Sequence, residues 1–249
     1  MDESWWLFFG VGVLAQLVDG ALGMAFGVTA TSVMLSFGTS PAYASAMVHI
    51  AEIFTTAASG ASHIYHRNVD WALVRRLALP GAVGGLIGAT VLVNVDGKLI
   101  EPVVTIYLAA MGVVILARAM RSFAVIEPGR RRTPVIGFFG GILDAIGGGG
   151  WGPIVTGSLV GGGQVPRFVI GSVNLTEFFV TLVTSATFAL TLGLAELTPV
   201  IPLILGGLVS APFAGYLVKV LPVRFLMIAV GGMILILSAR SMLKFMGWL

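Results

Sequence analysis

The sequence predicts an all-α polytopic membrane protein folded as an inverted-topology repeat, each half being a short broken-helix hairpin followed by three spanning helices. Three observations lead there. The 249 residues are 57% hydrophobic and 10% charged, with a mean hydropathy of +1.01, which leaves too little polar surface to cover a soluble globule. The chain also matches itself without a gap at an offset of 125 residues. Finally, two glycine-dense segments, Asp19-Gly20-Ala21-Leu22-Gly23-Met24-Ala25-Phe26-Gly27 and Asp144-Ala145-Ile146-Gly147-Gly148-Gly149-Gly150-Trp151-Gly152, interrupt apolar runs at matching places. Irregular backbone survives at membrane depth only where protein buries it or where it lines a wet cavity. Paired breaks of this kind point to a transport site.

The elements follow in order. Trp5 to Val18 and Leu22 to Phe37 are apolar runs of about 15 residues, or roughly 22 Å of helix against a hydrocarbon core of about 30 Å. They read as the two arms of a hairpin. Pro41 opens a long segment reaching Tyr65, the polar turn His66-Arg67-Asn68-Val69-Asp70 follows, then come Leu73 to Val93 and Pro102 to Ala119, and these three segments are each long enough to span. The loop Arg118 to Thr133 holds Arg118, Arg121, Arg130, Arg131 and Arg132 and divides the halves. The pattern then restarts with Pro134 to Leu143, Pro153 to Val160, Pro166 to about Leu192, Pro199 to Val218 and Pro222 to Phe245. Domain organisation is therefore a first transmembrane repeat over 1–121, a basic linker over 122–133 and a second repeat over 134–249.

The offset takes Asp19 onto Asp144, Gly23 onto Gly148, Gly27 onto Gly152, Thr31 onto Thr156, Pro41 onto Pro166, Glu52 onto Glu177, Thr56 onto Thr181 and Gly81 onto Gly206. Apolar identities are cheap in a membrane protein, but paired acids and prolines are not. Charge orients the halves. The turn after the first long segment holds Arg67, Arg75 and Arg76, whereas its equivalent, Leu194-Ala195-Glu196-Leu197-Thr198, holds only an acid, so the two face opposite sides. The central loop, Arg167 and the Lys219 to Arg224 turn share the side of Arg67, which the positive-inside rule makes cytoplasmic. Both termini are then expected outside, with Arg240 and Lys244 running against the rule.

Composition excludes several functions. The net charge of +3 comes from inter-helix loops and leaves no nucleic-acid footprint. The absence of cysteine rules out disulfides, thiolate metal sites and cysteine nucleophiles. Met1-Asp2-Glu3-Ser4 is acidic where a secretory signal is basic, so the N-terminus is expected to stay on. No cofactor and no metal are expected: His63 and His66 flank Arg67 at the interface without convergent spacing.

The breaks suggest what is moved. A helix beginning after a glycine-rich turn presents unpaired N–H groups and the positive end of its dipole, which favours an anion. If Gly23 to Gly27 and Gly148 to Gly152, Gly149 included, meet from opposite sides, they form a cradle for a small oxyanion without any arginine, with Thr29, Thr31, Ser32, Thr156 and Ser158 adding hydroxyls. The competing reading is that small residues only let helices pack closely. In the long segments, His49 and Glu52 share a helix face, as do Asn174 and Glu177. Ionisable groups at that depth are kept for a partner, a wet cavity or proton traffic. His49 and Asn174 are accordingly candidate substrate ligands, and Glu52 and Glu177 candidate coupling groups; the alternative is that the glutamates only bond neighbouring helices. His49 is expected to share a proton or form a charged pair with Glu52, a device that Glu177 lacks beside neutral Asn174. Asp19 and Asp144 are candidate coupling groups for a proton or cation, or else caps for broken backbone.

The break written DGALGMAFG and DAIGGGGWGP, the threonine-rich arm after it, the proline opening the next helix and the NVDW turn resemble the TauE/SafE sulfite exporter family, also called the 4-toluenesulfonate uptake permeases. The resemblance covers nearly the whole chain, with Met24 and Ala25 standing where the family's pattern has glycine. It implies a bacterial inner-membrane carrier for sulfite, sulfonates or related sulfur anions, whose partners are that small anion and lipid, with a homodimer left open. Alternating access with proton coupling is the expected mechanism. A passive channel remains an alternative, and so does an intramembrane enzyme using His49 and Glu52 as acid and base, although no nucleophile motif accompanies them and the polar positions recur in both halves.

Overall fold

The computed structural model describes residues 3–22, 24–120, 132–193, 200–220 and 223–248, all of them helical or in the turns between helices. The first half holds α1 (Glu3–Leu22), α2 (Phe26–Ser36), α3 (Pro41–Tyr65), α4 (Trp71–Asn94) and α5 (Gly97–Ala119). The second holds α6 (Thr133–Gly147), a π-helical turn (Gly152–Thr156) that continues into α7 (Gly157–Gly161), α8 (Pro166–Leu192), α9 (Val200–Val220) and α10 (Val223–Phe245). Shifted by 125 residues, each helix of the first half falls on one of the second to within a few residues. Local chemistry sets the ends. Pro41 and Pro166 occupy first-turn positions where a missing N–H costs nothing. Asp70 caps α4 by accepting from the N–H groups of Ala72 at 2.8 Å and Leu73 at 3.3 Å, and Asp96 caps α5 through Lys98 N–H.

Four helical stretches among the described residues are long and apolar enough to cross a membrane: Trp71–Asn94, Gly97–Ala119, Pro166–Leu192 and Met227–Phe245. α3 matches them in length with 25 residues, but it carries Ser45, His49, Glu52, Thr55 and Thr56 buried against its neighbours. Its polarity belongs to the interior of the bundle.

Packing interlocks the halves. α1 lies along α9 and α4 along α6, the same contact made twice with the halves exchanged, while α3 pairs with its own equivalent α8, and α5 with α10. α4 and α6 run in parallel: a Cβ on Gly137 would meet Leu77, one on Gly141 would meet Gly81 and Gly85, and one on Gly88 would meet Ala145. Small residues bring these backbones together where lipid supplies no hydrophobic drive. α3 and α8 run antiparallel, since Ser59 Oγ donates to Asn174 Oδ1 at 3.0 Å while Arg167, at the start of α8, donates to Asn68 Oδ1 and His66 O just past the end of α3. α5 and α10 are antiparallel as well, with Gly112 beside Ile234 and Leu235, and Gly231 beside Leu116.

This arrangement gathers Arg67, Arg75, Arg76 and Arg167 at one end of the bundle, the end from which α6 also departs. The remaining members of the Arg130 to Arg132 loop, apart from Arg132 itself, lie outside the described residues. Arg240 and Lys244 sit at the other end and have a local task there. Arg240 stacks over the Phe37 ring at 5.5 Å, and Lys244 Nζ lies 2.8 Å from where a Gly38 Cβ would be, placing both cations at the carbonyl end of α2, where the helix dipole favours them.

The hairpin arms are longer on their first side than the sequence suggests. α1 continues through Asp19 and Gly20 to Leu22, and α6 through Asp144 to Gly147. One glycine costs a packed helix only about 1 kcal/mol, so it does not stop the helix. The break narrows to the residues whose φ turns positive.

Candidate functional site

Those residues are Ala25 in the first copy (φ 110°) and Gly148, Gly149 and Gly150 in the second (64°, 134° and 153°). Gly150 is the equivalent of Ala25, so one copy adopts with a side chain what the other adopts with glycine, for which that region is freely available. Gly23 lies outside the described residues. Across each break the acid reaches forward: Asp19 Oδ1 accepts from Phe26 N–H at 3.4 Å and Asp144 Oδ1 from Trp151 N–H at 2.9 Å, equivalent contacts at equivalent positions. An acid in the last turn opposes its own helix dipole, but here it satisfies an orphan donor at the start of the next helix. Both aspartates therefore act as caps. The helix starts proposed to face an anion already face a carboxylate of the protein.

The two breaks meet in the interior. A Cβ on Gly27 would lie 2.5 Å from Gly149 Cα and 2.9 Å from Glu52 Oε1, and one on Gly149 would overlap the Gly27–Val28 peptide. Thr31 donates its hydroxyl to Gly148 O, and Ser45 Oγ donates to Ala145 O at 2.6 Å. Gly147 and Gly150 lie flat against Tyr107, whose hydroxyl donates to Gly149 O at 3.2 Å. Gly152 heads the π turn and Thr156 ends it, fully buried. π turns of this kind recur at functional positions.

His49 does not pair with Glu52. Its Nε2 lies 3.2 Å from Asp144 Oδ2, and its Nδ1 lies 2.8 Å from Ser45 O, an acceptor only. Nδ1 must therefore carry hydrogen, and Nε2 and Asp144 hold one further proton between them. Sharing a face at a spacing of three residues does not make two side chains touch: the imidazole turns to the end of α6, the carboxylate to Gly27. Glu52 Oε2 and Thr29 Oγ1 are buried with no hydrogen-bond partner among the described residues. Glu177 is buried within electrostatic reach of Glu52, Asp19 and Asp144. The paired glutamates keep one common feature, a threonine one turn on that donates to their carbonyl, Thr56 to Glu52 O and Thr181 to Glu177 O. Asn174 stands apart from this group, its amide fixed by Ser59 Oγ and Ile170 O.

One residue of the site was hidden by its company. Arg118 reads as the start of the basic loop, yet it belongs to the last turn of α5 and turns inward. Its Nη2 donates to Pro153 O at 2.6 Å, its Nη1 lies 3.5 Å from Met24 Sδ, and the guanidinium rests on Gly157, where a Cβ would collide with it. The usable signal was that Arg118 falls within an apolar run that Ala119 and Met120 continue.

Comparison with known proteins decides what this interior belongs to. The family profile described as "Sulfite exporter TauE/SafE" matches residues 8–241. The chain belongs to the TauE/SafE sulfite exporter family. It is also 39% identical over 247 residues, covering 96% of this chain and 82% of the relative, to a Bacillus subtilis (strain 168) protein described as "Probable membrane transporter protein YtnM". No solved structure matches the chain. A TauE/SafE protein is a membrane transporter, and the capped breaks, the facing glycines and the buried acids are then the interior of a transport protein.

Proposed function

We propose that this TauE/SafE protein is a secondary transporter that moves a small sulfur-containing anion, sulfite or a sulfonate, across the bacterial inner membrane by alternating access with proton coupling. The observation that carries the reading is the meeting of the two breaks, Gly27 against Gly149, beside a buried carboxylate with an unpartnered oxygen. Non-helical backbone at this depth must be buried by protein or line a wet cavity, and facing broken helices are where inverted-repeat carriers hold their cargo. The inverted relation of the repeats is supported by equivalent helices, α3 with α8 and α5 with α10, running antiparallel. Proton coupling is supported by the His49–Asp144 pair, which shares one proton at the break itself.

The gathering of Arg67, Arg75, Arg76 and Arg167 at one end favours that end as cytoplasmic, with both termini outside. In the packed conformation the cradle is closed by the Gly27–Gly149 contact, so loading requires the breaks to separate. The test is flux of sulfite and methanesulfonate into proteoliposomes, with and without an imposed pH gradient. Saturable flux driven by the gradient is the expected result. Flux indifferent to the gradient leaves a passive channel, and the absence of anion flux defeats the reading.

A further inference from the structure

We infer that Arg118 is the anion-binding residue of the transport site, its guanidinium engaging an oxyanion, a sulfonate or sulfite group, that arrives between Met24 and Pro153. The inference rests on the transport reading above and adds to it the positive charge that the glycine breaks lack. Arg118 reaches both breaks, touching Met24 in the first and Pro153 just past the second.

Its present partners are poor ones for a full charge. A guanidinium has five N–H donors in a planar fork suited to an oxyanion, and here the contacts are one neutral carbonyl and one thioether. Among the described residues no acid lies within ion-pair distance of Arg118; the close acid–base contact is His49 with Asp144. A charge partly withdrawn from water at a transmembrane helix end is costly unless it is paired. Two parallel N–H···O bonds to an oxyanion supply that pairing with fixed geometry.

The surroundings point the same way. Asp19, Asp144, Glu52 and Glu177 are buried in the interior, and none of them forms an ion pair with Arg118 among the described residues. Gly157 is what admits the guanidinium, since any side chain there would displace it. Tyr107, on the same helix, donates its hydroxyl to Gly149 O in the second break. α5 thus carries both a latch for the closed break and a charge beside it.

The decisive measurement needs no mutation. Phenylglyoxal modification of Arg118 in the purified full-length protein, followed by peptide mass spectrometry, should slow severalfold in methanesulfonate or sulfite relative to gluconate at equal ionic strength, while Arg67 and Arg75 react at unchanged rates. Equal modification of Arg118 with and without the sulfur anion overturns the inference. In proteoliposomes Arg118→Gln should raise KM at least tenfold, and Gly157→Ala, which keeps the charge but displaces it, should raise KM as well. Wild-type KM in a folded Arg118→Gln or Gly157→Ala protein also overturns it. These outcomes separate from the transport reading: wild-type vesicles that move no sulfur anion defeat that reading, whereas wild-type flux with Arg118 insensitive to the anion defeats only the assignment of Arg118.

Discussion

Gly149 lies against the Gly27–Val28 peptide so closely that neither glycine has room for a Cβ, and this contact joins the two halves at their breaks. Gly149→Ala should therefore fail twice, once by collision and once because φ 134° is a conformation that L side chains rarely adopt. The expected outcome is an insertion-competent protein with at least a tenfold lower initial rate of anion flux. Gly161→Ala, at a position with open space, should match the wild type. Normal flux in Gly149→Ala would show that the break contact is not part of the transport cycle.

The aspartates at the breaks should behave unequally. Asp144→Asn keeps an oxygen to accept from Trp151 N–H but loses the acid facing His49, so the fold should persist while the pH dependence of flux flattens. Asp144→Ala loses the cap as well, and destabilisation of about 1–3 kcal/mol is expected. Asp19→Asn has no histidine to disturb and should keep the wild-type pH profile. Thermal unfolding in detergent together with flux from pH 5 to 8 separates the three; a flattened profile in Asp19→Asn alone would reverse the assignment.

Ala25 carries backbone strain that its equivalent Gly150 does not. Ala25→Gly should relieve on the order of 1–3 kcal/mol and give back up to about 1 kcal/mol in unfolded-chain entropy. The net expectation is a higher unfolding temperature in detergent. A lower one would mean that the Ala25 methyl, itself buried, contributes more through packing than its φ costs.

Orientation is open to direct measurement because the chain has no cysteine. Gly97 and Gly161 are exposed and have no atoms near a prospective Cβ; they lie at the α4–α5 turn and at the end of α7, on opposite ends of the bundle. Gly97→Cys should react with an impermeant maleimide on intact cells, and Gly161→Cys only after permeabilisation. The reverse pattern would invert the proposed topology.

Most of the fold was legible because it repeats. Apolar runs located ten helical segments, which paired acids and prolines then matched at one offset, and the proline starts of α3 and α8 stand where the sequence puts them, whereas Pro102, expected to open the fifth segment, lies inside α5. The ends of α1 and α6 were not legible, since composition marks glycine density but not which glycines take positive φ. The site was legible in its members and less so in their partners. His49 was expected beside Glu52 from helical spacing, a rule about one helix, while its actual partner Asp144 comes from a contact across 95 residues. Arg118 was obscured because a basic residue at a helix end reads first as a topology signal.

The exchange of partners between halves sets a schedule for synthesis. α1 packs along α9, whose first residue, Val200, follows the last residue of α1, Leu22, by 200 − 22 = 178 residues, so at about 5–20 residues per second the first helix waits on the order of ten to forty seconds for its neighbour. During that interval Gln16 and Asp19, both buried once the bundle is complete, must be sheltered by the insertion machinery or by α2. Biogenesis of this transporter is thus a matter of holding an unfinished half in the membrane until its groove is filled, and the ribosome, rather than the lipid, keeps the time.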